Sequence, residues 1–238
     1  MIKKKKKKKI LVTGYNSGIG NNLIKKYLSL GAIIYSTSTK KEIQRKNLKV
    51  FKCNFLDQSS TSEFFKKIKN INFDIVINNA GINIINEIYN IKDQDMENII
   101  KINLTIPAQI IKITSKNMIK KRQGKIVNIS SIFGSISKNK RASYSSSKSG
   151  LIGLTKACAL DLAKYNILVN SLSPGFVNTL LTKKILGKKL MKKMEKNIPI
   201  NKIASPKDIV PYIIFLTSDY NQYITGQNCI IDGGYTIQ

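Results

Sequence analysis

The sequence predicts a single α/β domain, a doubly wound and mostly seven-stranded parallel sheet with helices on both faces. Three observations predict it. A chain of 238 residues that is 42% hydrophobic can bury one large core. Short apolar runs rich in β-branched residues alternate with segments of helical period along the whole chain. No internal repeat and no long linker divides it. The domain is expected to span residues 10–238, behind a lysine-rich tail over residues 1–9.

The elements follow in order. Residues 10–13 form a short apolar strand, and a glycine-punctuated turn leads from it into Ile19, Leu23, Ile24, Tyr27 and Leu28, which share one helical face. Gly31 caps that helix, residues 32–35 supply a second buried strand, and residues 50–53 a third. Residues 73–77, 125–129 and 167–172 read as strands four to six, each preceded by an amphipathic segment, and residues 229–231 as the seventh. Strands separated by helices of this length imply right-handed crossovers and hence a parallel sheet.

Composition excludes several kinds of chemistry. There is no histidine, so Ser-His-Asp catalysis, Cys-His catalysis and histidine-based metal sites are all absent, and no metal is expected. Cys53, Cys158 and Cys229 are odd in number and widely spaced, which suits reduced thiols. No apolar run is long enough to span a bilayer and the basic start lacks a signal-peptide pattern, so a cytoplasmic location is expected. The net charge of +28 suggests nucleic acid at first sight. Yet only Arg45, Arg122 and Arg141 are arginines, and lysine, isoleucine and asparagine are spread over every region, so the charge reads as background composition and no specific nucleic-acid partner is expected. The lysine run over residues 3–9 reads as a solvated tail.

The turn after the first strand is Thr13-Gly14-Tyr15-Asn16-Ser17-Gly18-Ile19-Gly20. A pyrophosphate needs free backbone N–H groups at the positive end of a helix, and Gly14, Gly18 and Gly20, with Asn16, Ser17 and Ile19 between them, would let it approach. The spacing resembles the TGxxxGIG signature of short-chain dehydrogenases/reductases, a Rossmann-type family. Asn78-Asn79-Ala80-Gly81, just after the fourth strand, resembles that family's NNAG motif and adds Asn79, Ala80 and Gly81 to the expected cofactor contacts.

Tyr144 and Lys148 stand four residues apart, on one helical face. A phenol becomes a useful general acid near neutral pH when a neighbouring ammonium stabilises its anion, and Lys148 would supply that field while also holding the cofactor. Ser131 precedes Tyr144 by thirteen positions, the family's serine-to-tyrosine spacing; Ser130 is its neighbouring alternative. Asn103 resembles the family's fourth catalytic residue, whose backbone or side chain holds a water that relays protons to the lysine; a helix-capping or helix-kinking asparagine is the alternative. Pro174, Gly175, Val177 and Thr179 lie in a segment resembling the family's PGxxxT motif, which contacts the nicotinamide amide or the pyrophosphate. With Ile224-Thr225-Gly226-Gln227 and Asp232-Gly233-Gly234-Tyr235, the resemblance runs from Ile10 to Tyr235.

The resemblance implies an NAD(P)-dependent oxidoreductase that moves hydride between a nicotinamide and a carbonyl or alcohol. No carboxylate stands at the end of the second strand, where Ser36 and Thr37 are expected cofactor contacts, so NADP(H) is favoured over NAD(H). Asn54 takes the place of an adenine-contacting Asp. The pattern is most similar to 3-oxoacyl-acyl-carrier-protein reductases, with a sugar, polyol or hydroxy-acid dehydrogenase as the alternative and a catalytically silent binding protein as a remote one. A mobile lid over residues 176–199 and a homotetramer built on the helices near residues 103–121 and 143–165 are also implied. Lys138, Lys140 and Arg141 are candidates for a basic rim that steers an acidic acyl carrier.

Overall fold

The computed structural model describes residues 7–238, and most of the predicted lysine-rich tail lies outside them. Lys8 reaches Asp219 at 2.7 Å, and Lys9 is already the first residue of β1 (Lys9–Val12). The chain continues through α1 (Gly18–Ser29), β2 (Ile33–Ser38), β3 (Ile43–Arg45), β4 (Leu48–Lys52), α2 (Gln58–Ile68) and β5 (Ile75–Asn78). There follow α3 (Asp93–Ile100), a π-helical turn (Lys101–Thr105) and α4 (Ile106–Lys121). β6 (Gly124–Ile129), α5 (Ala142–Ala163), β7 (Ile167–Pro174), α6 (Leu180–Lys196), α7 (Pro206–Thr217) and β8 (Asn228–Ile231) complete the order.

The sheet has eight strands in the order β3-β4-β2-β1-β5-β6-β7-β8. The seven predicted strands are all present and parallel. The eighth, β3, is a three-residue edge strand that pairs antiparallel with β4. Its turn uses Asn47 at φ 65°, a left-handed conformation that asparagine tolerates better than most residues. β2 also runs three residues beyond its predicted end, since Ser36, Thr37 and Ser38 continue the pairing with β4.

Helices cover both faces. α1 and α7 pack over one, where Leu23, Ile24, Ile209 and Ile213 are buried against Ile10, Ile34 and Ile77. α2, α4 and α5 cover the other, with Phe64, Ile110 and Leu162 against Phe51, Val76 and Val169. The isoleucine-rich strands bury nearly every side chain, the pattern of a parallel sheet with no solvent face. Ile106, Ile110 and Leu151 lie in the core, while Ile113, Leu154 and Cys158 are half-buried. The strand order reverses at β1/β5, and in open α/β sheets the crevice at that point is where ligands bind.

A buried polar ladder fixes α5 to the sheet. Asn78 donates to Asn128 across the β5–β6 register at 2.8 Å, and Asn128 donates to Thr155 on α5 at 2.9 Å. α6 is two helical pieces, because Gly187 at φ 67°, ψ 168° interrupts it. Its C-terminal piece is anchored by Met194, which packs with Ile198 and Ile203 against Phe176 and Tyr235.

Candidate active site

A cleft of about 670 Å³ opens at the C-terminal ends of the strands, beside the β1/β5 reversal. One wall is the start of α1, where Asn16, Ser17, Gly18 and Ile19 line the space. Ser17 is the N-cap: its Oγ accepts from the Gly20 N–H at 2.9 Å and donates to the Gly14 carbonyl at 3.0 Å. Asn79 braces the same turn, its Nδ2 donating to the Thr13 carbonyl at 2.8 Å and to Ser17 Oγ at 2.7 Å. Thr13 Oγ1 accepts from the Asn79 and Ala80 N–H groups. Gly14, Gly20 and Ala80 thus shape the loop from behind, whereas Asn79 and Gly81 also face the cleft. At Gly20 a Cβ would fall onto the Gly14 carbonyl and Ser17 Oγ, so the turn requires glycine there.

The predicted contacts at the end of β2 need correction. Ser36 and Thr37 are buried and do not line the cleft: Ser36 Oγ donates to the Val12 carbonyl at 2.6 Å, and Thr37 Oγ1 accepts from the Gly14 N–H at 3.1 Å. Because β2 is longer than predicted, the residues that reach the cleft are Thr39 and Lys40. Asn54 sits in an adjoining depression that shares Thr39 and also holds Glu42, Lys52 and Lys67; its Oδ1 accepts from the Leu56 N–H at 3.1 Å.

The opposite wall carries Pro174, Gly175, Val177 and Thr179 from the end of β7, with Leu180 and Thr182 from the start of α6. At the floor lie Ser131, Tyr144 and Lys148. Ser131 follows β6, its Oγ accepts from the Phe133 N–H at 3.2 Å, and it lines the same cleft as Tyr144. Ser130 also borders the cleft, but its hydroxyl donates to the Lys148 carbonyl at 3.0 Å. Tyr144 and Lys148 occupy successive turns at the start of α5, with Lys148 Nζ 5.7 Å from the Tyr144 ring centre. Burial pushes the Tyr144 phenol up from its usual value, offset by the Ser131 hydrogen bond and by the charge of Arg141. Lys148 is 4% exposed, donates to the Ile129 carbonyl at 2.8 Å, and is pushed down by burial to about 8.

Asn103 lies in the π-turn, completely buried. Its Oδ1 accepts from the Ile82 N–H at 2.9 Å, and its Nδ2 donates to the Ile82 carbonyl at 2.9 Å and to Ser147 Oγ at 3.0 Å. The side chain is therefore spent on tying the segment after β5 to α5, which leaves its backbone for any contact with water. The expected basic rim also changes. Lys138 is exposed, Lys140 is paired with Glu87 at 3.2 Å, and Arg141 is turned inward with 8% exposure. A run of lysines concealed that inward arginine from the sequence.

Among the described residues no carboxylate lines the cleft, and its polar lining is backbone N–H groups, hydroxyls, amides, Lys40 and Lys148. That donor set, at the N-terminus of α1, fits a dinucleotide pyrophosphate. Among the described residues no cluster of histidine, cysteine or carboxylate could hold a metal ion, and no helix is long and apolar enough to cross a membrane.

Comparison with known proteins agrees with this geometry. A family model described as enoyl-(acyl carrier protein) reductase matches residues 14–236. The 3-oxoacyl-[acyl-carrier-protein] reductase FabG of Buchnera aphidicola subsp. Schizaphis graminum is 39% identical over 237 residues, which cover 96% of this chain and 97% of that protein. Two solved structures superpose closely. A 4-hydroxyisoleucine dehydrogenase complexed with NADH gives a TM-score of 0.90 at 34% identity, covering 97% of this chain and 99% of its own. ElxO with NADP bound gives 0.89 at 30% identity, covering 98% and 100%. Likeness of this extent, on a sheet whose order reverses beside a donor-lined cleft, makes the chain a member of the short-chain dehydrogenase/reductase family and an NAD(P)-dependent oxidoreductase acting on CH–OH and C=O groups.

Proposed function

We propose that the protein is an NADPH-dependent reductase of 3-oxoacyl groups carried as thioesters on an acyl-carrier protein. The observation that carries this reading is the convergence of Ser131, Tyr144 and Lys148 at the floor of the cleft, in a chain 39% identical to a 3-oxoacyl-[acyl-carrier-protein] reductase. The bound cofactor supplies hydride to the substrate carbonyl carbon. Gly18 and Ile19, at the α1 N-terminus, would hold its pyrophosphate, Lys148 its ribose, and Val177 and Thr179 the nicotinamide end. Tyr144 then donates its hydroxyl proton to the substrate oxygen, and Ser131 donates a hydrogen bond to that same oxygen as negative charge develops there. Lys148, a cation below about pH 8, supports the phenolate that remains. Asn103 fixes Ile82 and Ser147 around this group and offers its backbone carbonyl to the water that returns a proton through Lys148.

The cofactor preference rests on Thr39 and Lys40 at the end of β2, with no carboxylate between them and the cleft. One charge-assisted contact to a 2′-phosphate contributes about 1.5–3 kcal/mol, so KM for NADPH should lie at least about tenfold below that for NADH. Steady-state assays with both cofactors and a 3-oxoacyl thioester check this. A preference for NADH would overturn the cofactor assignment, and turnover of simple sugars or polyols without turnover of the thioester would overturn the substrate.

The protein is further proposed to work in the cytoplasm as a homotetramer. Leu160 on α5 is 82% exposed, α7 exposes Tyr212 and Phe215, and β8 is the edge strand of the sheet on that side of the order. Light scattering at micromolar concentration should return the mass of four chains; a monomer would contradict it.

A further inference from the structure

Ser38 is the last residue of β2, 4% exposed, and it does not line the cleft. It stands between two segments that do, the glycine loop at Asn16 and the turn that carries Thr39 and Lys40. Its Oγ accepts from Asn16 Nδ2 at 2.9 Å, from the Lys40 N–H at 3.1 Å and, at 3.5 Å, from the Lys41 N–H. A serine hydroxyl that accepts from the backbone two residues on bends the chain out of a strand. The residue before it is tied to the same loop, since Thr37 Oγ1 accepts from the Gly14 N–H at 3.1 Å and the Thr37 carbonyl from the Tyr15 N–H at 2.8 Å. The end of β2 and the glycine loop are therefore one hydrogen-bonded unit, and Ser38 is the member whose bonds also reach the turn.

What the turn presents is a choice of charge. Lys40 and Glu42 are two residues apart and both exposed, yet Lys40 lines the cleft while Glu42 lies in the adjoining depression with Lys52 and Lys67. Residues 39–42 belong to no strand, because β2 ends at Ser38 and β3 begins at Ile43, so their aim rests on local bonds such as those to Ser38. The two charges have opposite effects on a dinucleotide. A carboxylate beside the adenosine ribose accepts from a 2′-hydroxyl and repels a 2′-phosphate, whereas an ammonium attracts the phosphate.

We infer that Ser38 is a positioning residue for cofactor choice: by accepting from Asn16 and Lys40 together, it fixes the turn to the glycine loop, which sets Lys40 toward a 2′-phosphate and keeps Glu42 away from it. This rests on the reading of the protein as NADPH-dependent. Ser38 is buried behind the turn, so its hydroxyl acts through Lys40 and not by touching the nucleotide. The bond to Asn16 gives the arrangement its register, since the loop that would hold the pyrophosphate and the turn that would hold the 2′-phosphate then keep a fixed separation.

Calorimetric titration of the full chain with adenosine 2′,5′-bisphosphate and with adenosine 5′-monophosphate isolates the 2′-phosphate and needs no turnover. Wild type should bind the bisphosphate at least about tenfold more tightly, the effect of one charge-assisted contact. Ser38→Ala should remove most of that preference while changing the affinity for the monophosphate by less than about twofold, and Ser38→Thr, which retains the hydroxyl, should preserve it. Lys40→Met should produce the same loss. The double variant Ser38→Ala with Lys40→Met should lose nothing more, because the hydroxyl acts through the ammonium. In steady state the KM values for NADPH and NADH should converge in Ser38→Ala with kcat unchanged.

Equal weakening of both nucleotides in Ser38→Ala would reduce the residue to packing, and losses that add in the double variant would separate it from Lys40. Either result, or an unchanged preference in Ser38→Ala, overturns the inference. A wild-type protein that binds the two nucleotides equally would overturn the NADPH reading as well, and is told apart because Lys40→Met would then have no effect.

Discussion

Replacing Tyr144 by Phe is expected to lower kcat/KM for carbonyl reduction by about 10²- to 10⁴-fold, the usual contribution of a general acid, while leaving cofactor affinity nearly unchanged. The ring sits on the first turn of α5, and α5 is fixed to the sheet by the Asn78–Asn128–Thr155 ladder, so loss of one oxygen leaves the backbone in place. Ser131 is held in place separately, its Oγ accepting from the Phe133 N–H. Ser131 therefore still reaches substrate, and the loss should appear in kcat with little change in KM. The chain has no tryptophan, so the fluorescence of bound NADPH reports cofactor binding without protein background from that source. Retention of more than about a tenth of the rate would count against Tyr144 as the proton donor.

Gly20→Ala should be the most damaging single methyl group in the molecule. Its Cβ would be placed against the Gly14 carbonyl, Ser17 Oγ and Asn79 Nδ2, the three atoms whose mutual hydrogen bonds hold the loop in shape. Relief requires the loop to move off the N-terminus of α1, so the N–H groups that would face a pyrophosphate are displaced with it. Overpacking of this kind costs about 1–3 kcal/mol. If the free loop relaxes and binding must force it back at a similar cost, the cofactor Kd should rise by about 10- to 100-fold. Urea denaturation and fluorescence titration measure the two effects separately. Unchanged affinity would mean that the loop does not hold the dinucleotide.

Much of this was legible because parallel strands buried on both faces leave an unmistakable trace in sequence. The runs around Val12, Ile77, Val127 and Val169 cannot be mistaken for surface. The placing of the glycine loop and of the Tyr144–Lys148 pair at one cleft was legible for another reason: each local arrangement depends on residue spacing within one turn, a short-range property. The gaps arise where geometry depends on distant partners. β3 is three residues long and half-exposed, so it has too few side chains to show a period. The true end of β2 is set by pairing with β4, which carries Ser36 and Thr37 inside and brings Thr39 and Lys40 to the cleft. Arg141 follows Lys138 and Lys140 in a segment that reads as solvent-facing, yet the Phe133 ring draws it in. The Gly187 interruption of α6 leaves no mark beyond a single glycine.

The π-turn over Lys101–Thr105 has a consequence for how such a protein can change. It joins α3 to α4 as one rod while holding one residue more than a regular helix would. Deleting any residue from that stretch would relax it to ordinary α-helix, with the buried faces of α4 still seated on the sheet. The extra residue is absorbed within the bulge, so α3 and α4 would keep their phase, and only the side chains of the turn itself would shift by one position, about 100° of azimuth each. Asn103 would lose Ile82 and Ser147 together, and the lining of the cleft beside Lys148 would go with them. Chemistry and architecture are thus separable here by a single codon.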